Sequence, residues 1–199
     1  MRIVWERVAE RLEGRIVTLE PLEARHADAL RKAADDERVW EFMVTRDVDA
    51  WIEDAFAEQR AGARIPYVVI REGVVVGSTS YLSLVPEHLR LEIGATWNNS
   101  ATWGTGANTD AKYLLLRHAF EVLGCRRVEF KTDARNARAR AALAALPAEF
   151  EGIHRKHMLV RGGERRDSAW YAVVDDDWPA VKGALERRID RAVRAMPGV

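Results

Sequence analysis

Trp97-Asn98-Asn99-Ser100-Ala101-Thr102-Trp103-Gly104-Thr105-Gly106-Ala107-Asn108 decides the reading of this chain. It joins an alternating, strand-like run to an apolar, helix-like run and sets two glycines where the helix must begin. Glycine lacks a Cβ and lets a ligand approach the backbone closely. The first four N–H groups of a helix have no intrahelical partner and lie at the positive end of its dipole. Such a turn presents bare amides to phosphate, and a diphosphate is the expected guest.

The flanks support that placement. Upstream, residues 89–97 alternate with period two, with Leu89, Leu91, Ile93 and Ala95 on one face and Arg90, Glu92 and Thr96 on the other, as in a half-buried strand. Downstream, Ala111, Leu114, Leu115, His118, Ala119, Val122 and Leu123 recur at helical spacing, which predicts a helix over 107–123 with Gly124 as its C-cap. Residues 125–133 read as a second strand, so the unit is βαβ-like. A P-loop would need Gly-x4-Gly-Lys-Ser/Thr, and the chain has no such string. A dinucleotide fingerprint would place its third glycine where Thr109 stands and would open a run of βα units, whereas a meander of strands precedes this turn. Glu129, at about the distance of a ribose-binding acid, is its one supporting feature.

On these residues the chain resembles the GCN5-related N-acetyltransferase (GNAT) superfamily and, within it, the branch of ribosomal-protein N-acetyltransferases, over about residues 14 to 188. The acetyl-CoA motif of that family, Gln/Arg-x-x-Gly-x-Gly/Ala, is met by Trp103-Gly104-Thr105-Gly106-Ala107-Asn108, with Trp103 in the opening polar position and Asn108 in the last small one. The family's asparagine after the fifth strand matches Asn136, and its usual Leu-Gly-Phe helix ending stands here as Leu146-Pro147-Ala148. The resemblance implies an α/β (α+β) fold with a central, mostly antiparallel mixed sheet of about seven strands flanked by helices. It implies acetyl-CoA as cosubstrate and transfer of the acetyl group to a primary amine, a protein N-terminus or a small molecule, by direct attack in a ternary complex. The motif supplies Gly104, Thr105, Gly106, Ala107, Asn108 and Asn136 as cofactor-binding candidates. Trp97 and Trp103, which bracket the turn, and Arg138, whose guanidinium can fork onto phosphate, complete the set. A non-catalytic acyl-CoA-binding or interaction protein on the same fold is the alternative.

Composition bounds the rest. A chain of 199 residues, 48% hydrophobic, can bury one substantial core, so a single domain over 1–199 is expected, with 1–13 an N-terminal arm and 189–199 a C-terminal tail. Thirty-one basic and 31 acidic residues cancel, which argues against a nucleic-acid footprint. No apolar run reaches ~18 residues and the N-terminus lacks a signal-like stretch, so a cytoplasmic protein without membrane contact is expected, monomer or homodimer. Cys125 stands alone, excluding an intrachain disulfide, and no Cys/His spacing suggests a metal.

Along the chain, 14–22 reads as the first strand, 24–35 and 47–60 as helices and 65–71 and 74–82 as a hairpin about Glu72-Gly73. Further on, 136–146 reads as helix, 149–160 and 166–174 as strands, and Asp177-Trp178-Pro179 opens a last helix through Arg188. The resemblance places the 24–60 helix pair over the acceptor. There Asp35, Asp36, Glu37, Asp47, Asp49, Glu53 and Asp54 form an acidic side that would steer a cationic amine, although solvated helix caps explain the same charges.

Transfer from thioester to amine needs a group to take the ammonium proton, donors for the developing oxyanion and an acid for the leaving thiolate. Glu92, on the polar face of the strand beside the implied pantetheine arm, is the candidate base; a water-facing glutamate paired with Arg90 is the alternative. The helix after Asn136 holds only Ala, Leu and Arg up to Leu146, so Tyr171, with Ser168 behind it, is the candidate acid, and solvent is the alternative. His154 and His157 lie in a basic run and read as surface residues, and Cys125 as a buried thiol.

Overall fold

The structure, a computed structural model, describes residues 5, 7–34, 36–45 and 47–196. Expectations touching residues 1–4, 6, 35, 46 and 197–199 lie outside the described residues. The strands are β1 (Leu12–Glu13), β2 (Thr18–Pro21), β3 (Arg64–Arg71), β4 (Val74–Val85), β5 (Arg90–Asn98), β6 (Arg127–Asp133), β7 (Glu149–Val160) and β8 (Glu164–Val174). The helices are α1 (Ala27–Ala33), α2 (Val48–Arg60), α3 (Ala107–Arg117), α4 (Ala137–Ala145) and α5 (Trp178–Arg194). The strands form one sheet in the order β1-β2-β3-β4-β5-β6-β8-β7. It has eight strands where about seven were expected, the extra one being the short β1.

Each local signal has a visible cause. Glu72 (φ 51°) and Gly73 (φ 79°) both take positive φ, as a two-residue turn matched to the strand twist requires. Asp47 caps α2, its carboxylate accepting from the N–H groups of Asp49 and Ala50. The expected helix after the glycine turn is α3 continued through one π-helical turn, His118–Val122, to Gly124 at φ 68°.

Helices cover both faces of the sheet. On one face Leu114 and Leu115 of α3, Leu143 of α4 and Leu185 of α5 pack on Leu91, Ile93, Val128 and Phe130. On the other, Leu30 of α1 and Trp51 and Ala55 of α2 pack on Val68 and Trp97. All neighbouring strands are antiparallel except β5 and β6, whose parallel ladder holds Arg90–Arg127, Leu91–Val128 and Glu92–Glu129 and then stops. Past Glu92 the two strands part while each keeps its other neighbour.

Three expectations change. Helix α5 runs through Arg194, with Ile189 only 2% exposed, so 189–194 is packed helix and not tail. The N-terminal arm is docked where it is described: the Trp5 indole donates to the Leu123 carbonyl (2.9 Å), the Tyr67 hydroxyl donates to the Val8 carbonyl (2.7 Å), and β1 joins the sheet. The even alternation over 89–97 also breaks. Leu89 (φ 51°) ends a 3-10 turn before β5, and Ala95 (φ 47°) sits in a bulge where three steps of β5, Gly94 to Trp97, face two of β4, Ser80 to Ser78. The bulge turns Thr96 toward α3 and sends Trp97 to the α1–α2 side. Among the described residues no helix is long and apolar enough to cross a membrane.

Candidate active site

A cleft of about 980 Å³ opens where β5 and β6 part. At one end lies the glycine turn. Gly104 (φ 79°) and Gly106 (φ 89°) are left-handed, and Gly106 is the N-cap of α3. The first intrahelical bond runs from the Asp110 N–H to the Gly106 carbonyl (2.9 Å), so the amides of Ala107, Asn108 and Thr109 precede any acceptor in their own helix. A side chain added at Gly104 would meet open space, whereas one at Gly106 would meet Ala192 (2.6 Å) and Ile16 (2.8 Å). The two glycines therefore serve different ends: Gly104 leaves room on the cleft side, and Gly106 lets α5 and the chain before β2 close onto the turn.

Around this end, the Arg138 guanidinium stacks on the Trp103 ring at 3.6 Å from its centroid, and the Trp103 indole donates to the Asn98 carbonyl (3.0 Å). Asn136 caps α4, its side-chain oxygen accepting from the Ala139 N–H (2.9 Å), and it still lines the cleft. Arg135 is bound to Asp133 and Glu164, and Arg140 to the Tyr171 hydroxyl and the Ala134 carbonyl, so of the three arginines here Arg138 alone lines the cleft. Arg188 and Arg191 of α5 line it too, and neither was anticipated. Asn108 buries its side-chain oxygen without a donor. Bare amides, guanidinium groups, an open glycine and an unsatisfied carbonyl fit a ligand carrying phosphates and amides, as CoA does. Thr105 and Ala107 do not line the cleft: the Thr105 hydroxyl donates to the Thr102 carbonyl (2.7 Å) and Ala107 is 1% exposed. Trp97 lines the cleft from below, within an aromatic cluster with Trp40 and Trp51 at 5.4 and 5.6 Å.

At the other end Glu92 is 1% exposed, far from the water-facing position its alternation suggests, because helices and cleft walls cover both sides of β5. Its Oε2 accepts from Lys131 Nζ (2.8 Å) and from the Ser83 hydroxyl (3.2 Å), so its ion pair is with Lys131 and not Arg90, which binds Glu129 (3.2 Å). Its Oε1 lies beside Gly94 and takes no hydrogen bond among the described residues. Arg166, 7% exposed, lines the same end, as do Met158 and Arg64. Lys112 reaches in from α3, its ammonium donating to the Thr96 hydroxyl (2.7 Å), and burial pushes it down to about 7.

Tyr171 does not belong here. Its hydroxyl accepts from Arg140 Nε (3.2 Å), its ring packs on Phe150 (5.2 Å) within the α3–α5 core, and it does not line the cleft. Ser168 is buried against His157 (3.0 Å), and His154 and His157 stay at the surface against Trp170. Cys125 is buried, which pushes its thiol up to about 12. Much of the acidic acceptor side is engaged locally: Asp36 binds Arg38, Asp49 binds Arg31 and Asp47 caps α2, while Asp54 lines the cleft beside Glu58, which binds Arg64 (3.3 Å). Lys112, Arg166, Arg188 and Arg191 were missed because a charged residue at helical or strand spacing reads as a solvated one. No pattern set Lys112 apart, since α3 carries Asn108, Thr109, Asp110 and Arg117 beside its leucines.

These features converge on one class. Residues 17–148 match the family profile described as Acetyltransferase (GNAT) domain, and the chain belongs to that family of acetyltransferases. Solved structures agree over nearly the whole chain. A GCN5-related N-acetyltransferase from Brucella melitensis superposes with a TM-score of 0.82 at 32% identity, covering 90% of this chain and 85% of that one. A T. thermophilus protein described as a presumptive acetyltransferase gives 0.83 at 40% identity, over 90% and 97% of the two chains. Mycobacterium smegmatis RimJ, solved in complex with CoA-disulfide, gives 0.76 at 25% identity, over 92% and 95%. No curated protein matches the sequence.

Proposed function

We propose that this acetyltransferase binds acetyl-CoA with its phosphates at the Gly104–Asn108 turn and passes the acetyl group to a primary amine by direct attack in a ternary complex. The observation that carries the reading is the single cleft joining that turn, through the gap between β5 and β6, to the free oxygen of Glu92. Trp103, Arg138, Asn136, Arg188 and Arg191 hold the cofactor end. Trp97 and the aromatic cluster beneath it set the floor. Glu92 takes the proton of the attacking ammonium, directly or through water, while Lys131 and Ser83 fix the carboxylate by its other oxygen. Bringing two bound reactants together supplies much of the acceleration, up to ~7 to 11 kcal/mol in well-oriented intramolecular systems. With Tyr171 outside the cleft, the leaving thiolate takes its proton from solvent.

The amine acceptor, a protein N-terminus or a small molecule, is the partner this reading requires. Calorimetry with acetyl-CoA, followed by a thiol-release assay over small amines, amino acids and N-terminal peptides, tests it. Saturable binding and amine-dependent thiol release are expected. Absence of binding at millimolar acetyl-CoA overturns the reading, and binding without transfer to any amine leaves an acyl-CoA-binding protein.

A further inference from the structure

The acceptor end of the cleft carries an unpaired cation. Arg166 is 7% exposed, and its guanidinium makes no hydrogen bond or ion pair among the described residues, with Nε fully buried. One carboxylate in electrostatic reach, Asp133, is held by Arg135 at 2.8 Å and approached by Arg161 at 4.0 Å. The other carboxylate in electrostatic reach, Glu92, is held by Lys131. Arg135, Arg161 and His157 also interact with it electrostatically, and Arg135 and Arg161 add positive charge. A buried guanidinium without a partner is costly, and proteins keep one where a ligand supplies the anion.

Its position fixes which ligand. On β8, Arg166, Ser168 and Trp170 alternate onto one face; Trp170 pairs with Lys131 of β6, whose ammonium lies 5.5 Å from the Trp170 ring centroid and binds Glu92. Arg166 therefore stands on the same sheet face as Glu92, just past the end of β6, opposite Met158 of β7, and both it and Met158 line the cleft.

We propose that Arg166 receives a compact anionic group, a carboxylate or a phosphate, carried by the acceptor close to its amine, so that the acceptor is an amino-acid-like or aminoalkyl-phosphate amine and not a neutral or polycationic one. A planar guanidinium matches such a group through two parallel hydrogen bonds, and a site built for that contact rejects analogues that lack it. The inference rests on the acetyl-transfer reading of the cleft. Its test compares kcat/KM, by thiol release at fixed acetyl-CoA, for L-amino acids against their carboxamides and for phosphoethanolamine against ethanolamine. Anionic members should exceed neutral ones on the order of 10- to 100-fold, mainly through KM, and which pair shows it separates carboxylate from phosphate. Arg166→Gln should erase the difference, and Arg166→Lys, which keeps the charge, should retain part of it. Equal use of neutral and anionic amines by the unaltered protein overturns the proposal, as does a difference that survives in an Arg166→Gln protein still binding acetyl-CoA. If no amine of either kind is acetylated although acetyl-CoA binds, the acetyl-transfer reading fails first and this one with it.

Discussion

Glu92 and Lys112 show how differently two buried charges can be used. Glu92 has one oxygen committed to Lys131 and Ser83 and one facing the cleft, so Glu92→Gln should lower the transfer rate by ~10²- to 10⁴-fold with acetyl-CoA affinity nearly unchanged. Recovery at a pH where solvent deprotonates the amine would mark a base; a loss that persists there with a raised acceptor KM would mark a binding residue, and an unchanged rate would remove Glu92 from the chemistry. Lys112 is held down to about 7 against an ordinary 10.5 by burial. Between those values the unfolded chain carries a proton that the folded one does not, so stability rises with pH across that window and the cost of the buried ammonium is fully felt below it. Lys112→Met should therefore raise Tm most near pH 6 and progressively less toward pH 10, since the Thr79 and Thr96 hydroxyls already pair at 2.8 Å. A pH-independent difference in Tm would contradict this. At this scale the sequence pointed to Glu92 because it lies on the strand that leads into a recognisable turn, and to Arg138 because its guanidinium follows Asn136 at the start of the next helix. It could not point to Lys112 or Arg166, whose burial depends on partners far along the chain, nor tell which side of β8 Tyr171 would face.

The glycine turn was legible because everything it needs is local: a strand, two glycines and an apolar helix within one short stretch. What could not be read is that its glycines answer to different neighbours. Gly104→Val should fold with the backbone penalty of a side chain at positive φ, about 1 to 2 kcal/mol, and no steric clash, yet lose acetyl-CoA affinity by tenfold or more. Gly106→Val should also lower Tm markedly, because its side chain would meet Ala192 and Ile16. Calorimetry and thermal melts on the pair separate ligand access from packing; equal Tm losses would show that the distinction is wrong. The β5 bulge escaped the sequence for a related reason. Alternation over 89–97 assumes a regular pleat, and nothing in Gly94-Ala95-Thr96 announces that Ala95 will take φ 47°.

Across the whole molecule, the parallel placement of β5 and β6 followed from the βαβ reading, since a crossover helix between adjacent strands makes them parallel. The docking of Trp5, Val8 and β1 and the full length of α5 did not follow. Both are charged, amphipathic stretches whose order comes from a distant surface: Trp5 reaches Leu123, and Ala192 reaches Gly106. The parting of β5 from β6 after Glu92 has one more consequence. Strand backbone that points into that gap has no ladder partner, while on their far sides β6 pairs with β8 along its whole length and β5 pairs with β4 on either side of its bulge. In a deuterium-exchange experiment the sheet should therefore behave as two protected blocks with a fast-exchanging seam in the middle, a reversal of the usual pattern in which the centre is slowest. Acyl-CoA should slow exchange at the seam amides of residues 93–97 and leave those bonded to β4 unchanged. A uniform slowing over the whole sheet would mean that the ligand stabilises the protein without lying in the seam.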